Sequence, residues 1–243
     1  GVLPAEVRAS RVAKAKAALR DRLGEWSPAE VEEHLAKGYA DYWLSFDVDT
    51  HAHHAMLVRK AESEGLSLHI ETRIDKARDA TEIIIHTPDH PGLFSRVAGA
   101  MALSGASIVD AKIVTLANGM VLDTFLIQGF AGGPFDDPQL LKKMWKRIED
   151  ALSGKLQTAK ELDPARDQAL ASRTRVFKVP PRVLIDNQAS ANHTVIEVNG
   201  RDRQGFLHDV THVLTQFGLQ IASAHISTYG ERVVDVFYVK DVF

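Results

Sequence analysis

The sequence contains part of itself twice. Asp89, Gly92, Val97, Gly105, Ile108, Ala111, Ile113 and Thr115 recur 113 residues later as Asp202, Gly205, Val210, Gly218, Ile221, Ala224, Ile226 and Thr228. After a one-residue deletion, Val121, Asp123 and Phe125 return as Val233, Asp235 and Phe237. An apolar stripe at helical spacing (Phe94, Val97, Met101) returns as Leu207, Val210 and Leu214. Loop glycines, helix stripe and strand positions agree at one offset. That agreement requires a duplicated structural unit, because chance similarity has no reason to respect all three.

Each copy reads strand, Asp-x-x-Gly turn, helix, strand, hairpin, strand. In the first copy, Leu93 to Leu103 has helical spacing. Strands over 107–116 and 120–128 meet at Asn118-Gly119, a strong hairpin signal. Asp137-Pro138 opens a second helix running to Gly154, and 176–185 reads as the strand closing this copy, Pro180 and Pro181 placing it at an edge. This order predicts an α+β fold of two ferredoxin-like βαββαβ modules, each an antiparallel sheet with helices on one face. The second module reads as truncated after its third strand.

The residues ahead of the repeat predict helices. Residues 5–22 are rich in Ala, Arg, Lys and Leu. Ser27-Pro28-Ala29-Glu30 is a capping box with Pro at the first helical position, and Gly38 is placed to end that helix. An aromatic stretch (Tyr39, Tyr42, Trp43, Phe46) precedes another helix, expected to start after Asp49 or Thr50 and stop at Gly65. The spans are therefore 1–66 helical, 67–187 first module with a leading strand, and 188–243 second module.

Composition narrows function by exclusion. With 29 basic against 32 acidic residues and no basic block, nothing fits a nucleic-acid backbone. The absence of cysteine removes disulfides, thiolate metal sites and a Cys nucleophile. No apolar run approaches the roughly 18 residues of a membrane span. Gly1 to Ala5 lacks the layout of a secretory signal, so a cytoplasmic region of a longer polypeptide is expected.

The chemistry concentrates in the two turns, Asp89-His90-Pro91-Gly92 and Asp202-Arg203-Gln204-Gly205. In each, the chain leaves a strand and enters a helix whose first amides carry partial positive charge and suit a carboxylate. The Asp on the same turn suits an ammonium group. Together they form a cradle for an α-amino acid. The plainer reading is that Asp caps the turn and Gly relieves strain.

These turns resemble the loop of ACT domains, with Asp89 to Leu93 and Asp202 to Phe206 in the motif positions. The whole chain resembles the C-terminal part of the bacterial bifunctional uridylyltransferase/uridylyl-removing enzyme family. The likeness rests on Tyr42-Trp43-Leu44-Ser45-Phe46-Asp47, on Val179 through Asn187, and on Asn199-Gly200-Arg201-Asp202-Arg203. The resemblance implies glutamine as ligand and the PII nitrogen-signalling protein as partner. It also implies upstream catalytic domains in the same polypeptide, one using Mg²⁺ and UTP, and subunit pairing through the ACT sheets. No cofactor is expected in this region itself. Ligand contacts are expected from Asp89, His90, Gly92, Leu93, Val109 and Asp110, and from Asp202, Arg203, Gly205, Phe206, Ala222 and Ser223. Gln204 departs from the Pro that family members often carry there, so a looser second turn, with ligand geometry unlike the first, is expected.

Other motifs carry less. Asp47-Val48-Asp49 has the spacing of a Mg²⁺-binding carboxylate pair but lacks the phosphate-holding Gly-Ser turn, so helix capping is expected. His51, His53 and His54 are expected as a surface or interface cluster, with a Zn²⁺ site as the rival. His208-Asp209 falls on the first helix of the second copy, without further ligands. Gly129, Gly132 and Gly133 lack a following Lys-Ser/Thr and read as a turn. Three alternatives stand beside glutamine sensing. They are an ACT tail of an alarmone or amino-acid enzyme, a ligand-free interaction module, and a metal-dependent hydrolase using the His-rich segment.

Overall fold

A computed structural model of the chain describes residues 3–162, 181–188, 193–201, 205–229 and 232–241. It divides into two compact units: Gly1–His69 with Ile85–Asp89 and Val114–Leu122, and Ile70–Ile84 with His90–Ile113 and Asp123–Phe243.

The first unit is built on α1 (Ala5–Arg22), α2 (Pro28–Leu35), α3 (Ala40–Ser45) and α4 (Val48–Ser63). The capping box forms as its residues dictate. The Glu30 amide donates to Ser27 Oγ at 3.3 Å and the Ser27 amide to Glu30 Oε2 at 2.9 Å. Helix α4 starts earlier than expected because Asp47 caps it, its Oδ1 accepting from the Thr50 amide at 2.8 Å. Leu19, Leu23, Leu35, Trp43, Leu57 and Val58 form the core.

The strands are β1 (His69–Asp75), β2 (Ala80–Pro88), β3 (Ala106–Lys112), β4 (Met120–Gly129), β5 (Arg182–Asp186), β6 (Thr194–Arg201), β7 (Leu219–Tyr229) and β8 (Arg232–Asp241). They form one eight-stranded sheet in the order β1-β2-β4-β3-β7-β8-β6-β5. Helices α5 (Leu93–Leu103), α6 (Pro138–Leu152) and α7 (Phe206–Gln216) belong to the second unit, with α5 packed on both α6 and α7. The α+β architecture and the duplicated module are as the sequence predicts.

One strand lies elsewhere than expected. Of the strand read over 176–185, residues 176–180 lie outside the described residues, and Arg182–Asp186 pairs antiparallel with β6 rather than closing the first copy. The short connection after Asp186 explains it, since consecutive strands joined by few residues pair with each other. The two halves of the sheet thus match: β1 lies outside β2, and β5 outside β6.

The halves join through β3 and β7 with Asp110 opposite His225, Ala111 opposite Ala224 and Lys112 opposite Ser223. Ala111 and Ala224 are repeat counterparts, so the relation between the copies is a local two-fold passing between them. Both strands break register at the same repeat position, between Ile108 and Asp110 and between Ile221 and Ser223.

Gly99 sits where α5 meets α7. A Cβ there would lie 2.7 Å from Thr158 Cβ and 2.9 Å from His208 Cδ2, so only glycine allows this approach. The buried face of α7 accordingly runs through His208, Thr211 and Leu214, with Leu207 and Val210 of the expected stripe half-buried. Gly99→Val is expected to cost about 1–3 kcal/mol by overpacking. A urea midpoint equal to that of the parent chain would refute this packing.

Candidate functional site

The two turns end on glycines of the same backbone conformation. Gly92 has φ 78° and Gly205 φ 77°, each as the left-handed residue immediately before its helix. A side chain is strained in that conformation, which accounts for glycine at both places. In both helices the N-cap position itself is glycine, which has no side chain to cap with. The first turn of each helix closes identically, the Arg96 amide donating to Gly92 O and the Asp209 amide to Gly205 O, both at 3.0 Å.

The surroundings of the two turns differ. A Cβ on Gly92 would meet only Thr215 Cγ2, at 3.8 Å, near the end of α7. A Cβ on Gly205 would meet both Leu162 methyls at 3.5 Å, and Leu162 is itself fully buried. Within the second copy, Phe206 also packs its ring on Gly200. Gly92 therefore has more room beside it than Gly205, which faces aliphatic carbon.

The residues expected to wall the site are the irregular ones. Val109 and Ala222 are the extra residues at the two matched bulges, both half-buried. Bulges re-aim side chains and are over-represented beside binding sites. Next to them, Asp110 Oδ1 lies 3.4 Å from His225 Nδ1, and Arg78 Nη1 lies 3.9 Å from Asp110 Oδ2. Ser223 lies at the other end of the β3–β7 junction, opposite Lys112.

Asp89 is exposed, and its amide donates to Gly119 O at 3.0 Å. His90 turns its Nδ1 towards Pro91 O at 3.2 Å, and Leu93 is buried. Asp202 and Arg203 lie outside the described residues. Sequence reasoning missed Thr215, Leu162, His225 and Arg78. Only His225 left a trace, as the basic counterpart of Lys112 in the repeat.

The demoted motifs resolve locally. His51 and His54 are fully buried among Tyr42, Trp43 and Phe46, not on the surface as expected. They share the α4 face with Ala55, Val58 and Ala61, so the apolar stripe carries them inward. Asp49 bonds Arg22 at 2.6 Å. His208 bridges Thr158 (3.2 Å) and Asp209 (3.3 Å). Gly129, Gly132 and Gly133 form a hydrogen-bonded turn ahead of α6. Among the described residues, no three His, Asp or Glu side chains group as a metal site. No helix among them is long and apolar enough to cross a membrane.

A cavity of about 440 Å³ in the first unit is lined by Trp26, Glu30, His34, Lys37, Arg59 and Glu62 among others. Two ion pairs cross its lining, Lys37 with Glu62 at 3.0 Å and Arg59 with Glu30 at 3.3 Å.

Comparison with known proteins adds a context. Residues 189–243 match the model of the ACR family N-terminal ACT domain. A bifunctional uridylyltransferase/uridylyl-removing enzyme of Azospirillum brasilense is 54% identical over 244 residues, covering 100% of this chain and 26% of that protein. The proteins of the same description in Gluconobacter oxydans (49% over 243 residues, 100% of this chain and 26% of that protein) and Rhodospirillum rubrum (48% over 241 residues, 98% and 25%) align similarly. The chain spans about a quarter of the length of the curated relatives it matches.

Proposed function

The chain corresponds over its whole length to the C-terminal quarter of bifunctional uridylyltransferase/uridylyl-removing enzymes, and from that premise we propose that it is the ligand-sensing region of such an enzyme, with glutamine as the ligand. The observation that carries this reading is the repeated pair of left-handed turns and bulges, placed in two copies joined by a local two-fold.

At the first turn, the amides following Gly92 would hold the glutamine carboxylate and Asp89 its ammonium group. The bulge at Val109 and Asp110 would receive the side chain. A side-chain amide there would donate to the Asp110 carboxylate, whereas an ionised glutamate side chain has no proton to donate to it, so the neutral ligand is expected to bind better. Leu162 beside Gly205 leaves the second turn less room, which is why the first turn leads. The proposed parent enzyme would transfer UMP from UTP to PII with Mg²⁺ and hydrolyse the product, using domains outside this chain. Glutamine would regulate them by binding one arrangement of the modules better than another.

Titration calorimetry of the chain with glutamine tests this. Saturable heat is expected with glutamine and at least tenfold weaker binding with glutamate. Asp89→Ala, on an exposed residue, is expected to weaken glutamine binding about tenfold or more, equivalent to about 1.4 kcal/mol. No heat and no thermal shift would defeat the reading. The packed Gly205 turn favours one rival, modules that only dock a protein partner. PII capture indifferent to both glutamine and Asp89→Ala would support that rival.

A further inference from the structure

The cavity of the first unit is bounded by α2 and the last turns of α4. Glu30, Glu33 and His34 share one face of α2, with Lys37 just beyond its end, and Arg59 and Glu62 of α4 complete the polar lining. At about 440 Å³ the cavity falls within the range of roughly 300–1,000 Å³ usual for small-molecule sites. One part of the lining shows what such walls hold. The Arg59 guanidinium lies 4.5 Å from the centroid of the Trp26 ring and 3.3 Å from Glu30, a cation shared by an aromatic face and a carboxylate.

We propose that Glu33 and His34 hold a second cation in the same manner, so that this cavity is a binding site for a small organic amine or guanidine. Three lining carboxylates face two lining cations, and both cations are committed, Lys37 to Glu62 and Arg59 to Glu30. Glu33 is left with no ion pair among the described residues. His34 is 6% exposed, and no described residue bonds its ring, Nε2 being buried without a partner. Burial keeps that ring neutral at neutral pH, so it offers one acceptor. A carboxylate and a ring acceptor call for a donor-rich cation, whereas an anion would meet the uncompensated charge of Glu33. Trp26, edge-on to His34 at 5.9 Å between centroids, adds an apolar wall for the carbon chain of the ligand.

The lining shares no residue with either glycine turn, so the site stands whether or not the turns bind glutamine. Asp89→Ala is accordingly expected to leave amine binding unchanged, and the two readings fail separately.

Titration calorimetry of the chain with putrescine, with agmatine and with 1,4-butanediol, which keeps the length of putrescine without its charge, is the test. Saturable heat is expected with the two cations and none with the diol. Glu33→Gln, on an exposed residue, keeps the shape of the wall and removes its charge. It is expected to weaken both cations about tenfold or more, the scale of a hydrogen bond to a charged group. Glu64→Gln removes an exposed carboxylate at the end of α4 outside the lining, and unchanged binding is expected, which separates the site from general attraction to an acidic chain. N-acetylarginine amide distinguishes two sources of the same chemistry. Binding equal to that of agmatine assigns the site to an arginine side chain of a polypeptide, binding at least tenfold weaker assigns it to a free amine, and either result upholds it. No saturable heat with any of the cations, or equal losses in Glu33→Gln and Glu64→Gln, overturns the proposal.

Discussion

Trp43→Ala is expected to lower the stability of the N-terminal helical unit by about 3–5 kcal/mol, the range for truncating a buried Trp. Trp43 is 2% exposed, with Tyr42 at 5.0 Å and His51 at 4.9 Å between ring centroids. Its Nε1 donates to Gly38 O at 3.0 Å, so truncation removes that partner as well as opening a cavity. The pocket cannot be refilled from the backbone side. A Cβ on Gly38 would lie 2.5 Å from Tyr42 Cδ1 and 2.9 Å from Trp43 Nε1, so the glycine and the two rings depend on one another. Trp43→Phe keeps most of the ring and loses the hydrogen bond, and a smaller cost of about 1–2 kcal/mol is expected. Denaturant titrations followed by circular dichroism separate the three forms. An alanine variant unfolding at the parent midpoint would show that the aromatic cluster contributes nothing.

This cluster also shows what a sequence can and cannot reveal. Local signals were legible: Leu93–Leu103 forms the expected helix, Ser27 and Glu30 close the capping box, and Asp137 caps α6. Each depends only on residues within one or two turns. The left-handed glycines were legible through the repeat. The bulges at Val109 and Ala222 were not, because an extra residue in a strand has no side-chain signature of its own. The place of β5 was hidden for another reason, since strand pairing depends on which neighbour is nearest in space. Leu162 beside Gly205 comes from a segment following α6, and nothing in the second copy announces it. His51 and His54 were misplaced because their polarity outweighed their spacing with Ala55 and Val58. The periodicity was the better guide.

The buried histidines give the first unit a pH dependence whose sign follows from burial. His34 is 6% exposed, and burial with the nearby Lys37 pushes its pKa down to about 4, against a smaller opposing effect of Glu62. Burial likewise lowers His51, opposed by the Tyr42 carbonyl and Asp47. It also lowers His86, whose two ring nitrogens are both buried without hydrogen-bond partners. A folded pKa below the unfolded value of 6.5 means that the folded state disfavours the proton. Above that value the histidine is neutral in both states and stability is at its full level. As pH falls, the unfolded chain takes up protons first and stability declines, until His34 itself titrates near 4 and its share of the loss is complete. At 1.36 kcal/mol per unit, that share is about 3 kcal/mol, with His51 and His86 adding in the same direction. Urea midpoints between pH 7 and pH 4.5 are therefore expected to fall steeply. His34→Leu, which carries no proton in either state, is expected to flatten the decline. Equal midpoints across that range, or a slope indifferent to His34→Leu, would mean that these rings gain protons in the folded unit as readily as in the unfolded chain. Their burial would then carry no electrostatic cost, and packing alone would hold them where they are.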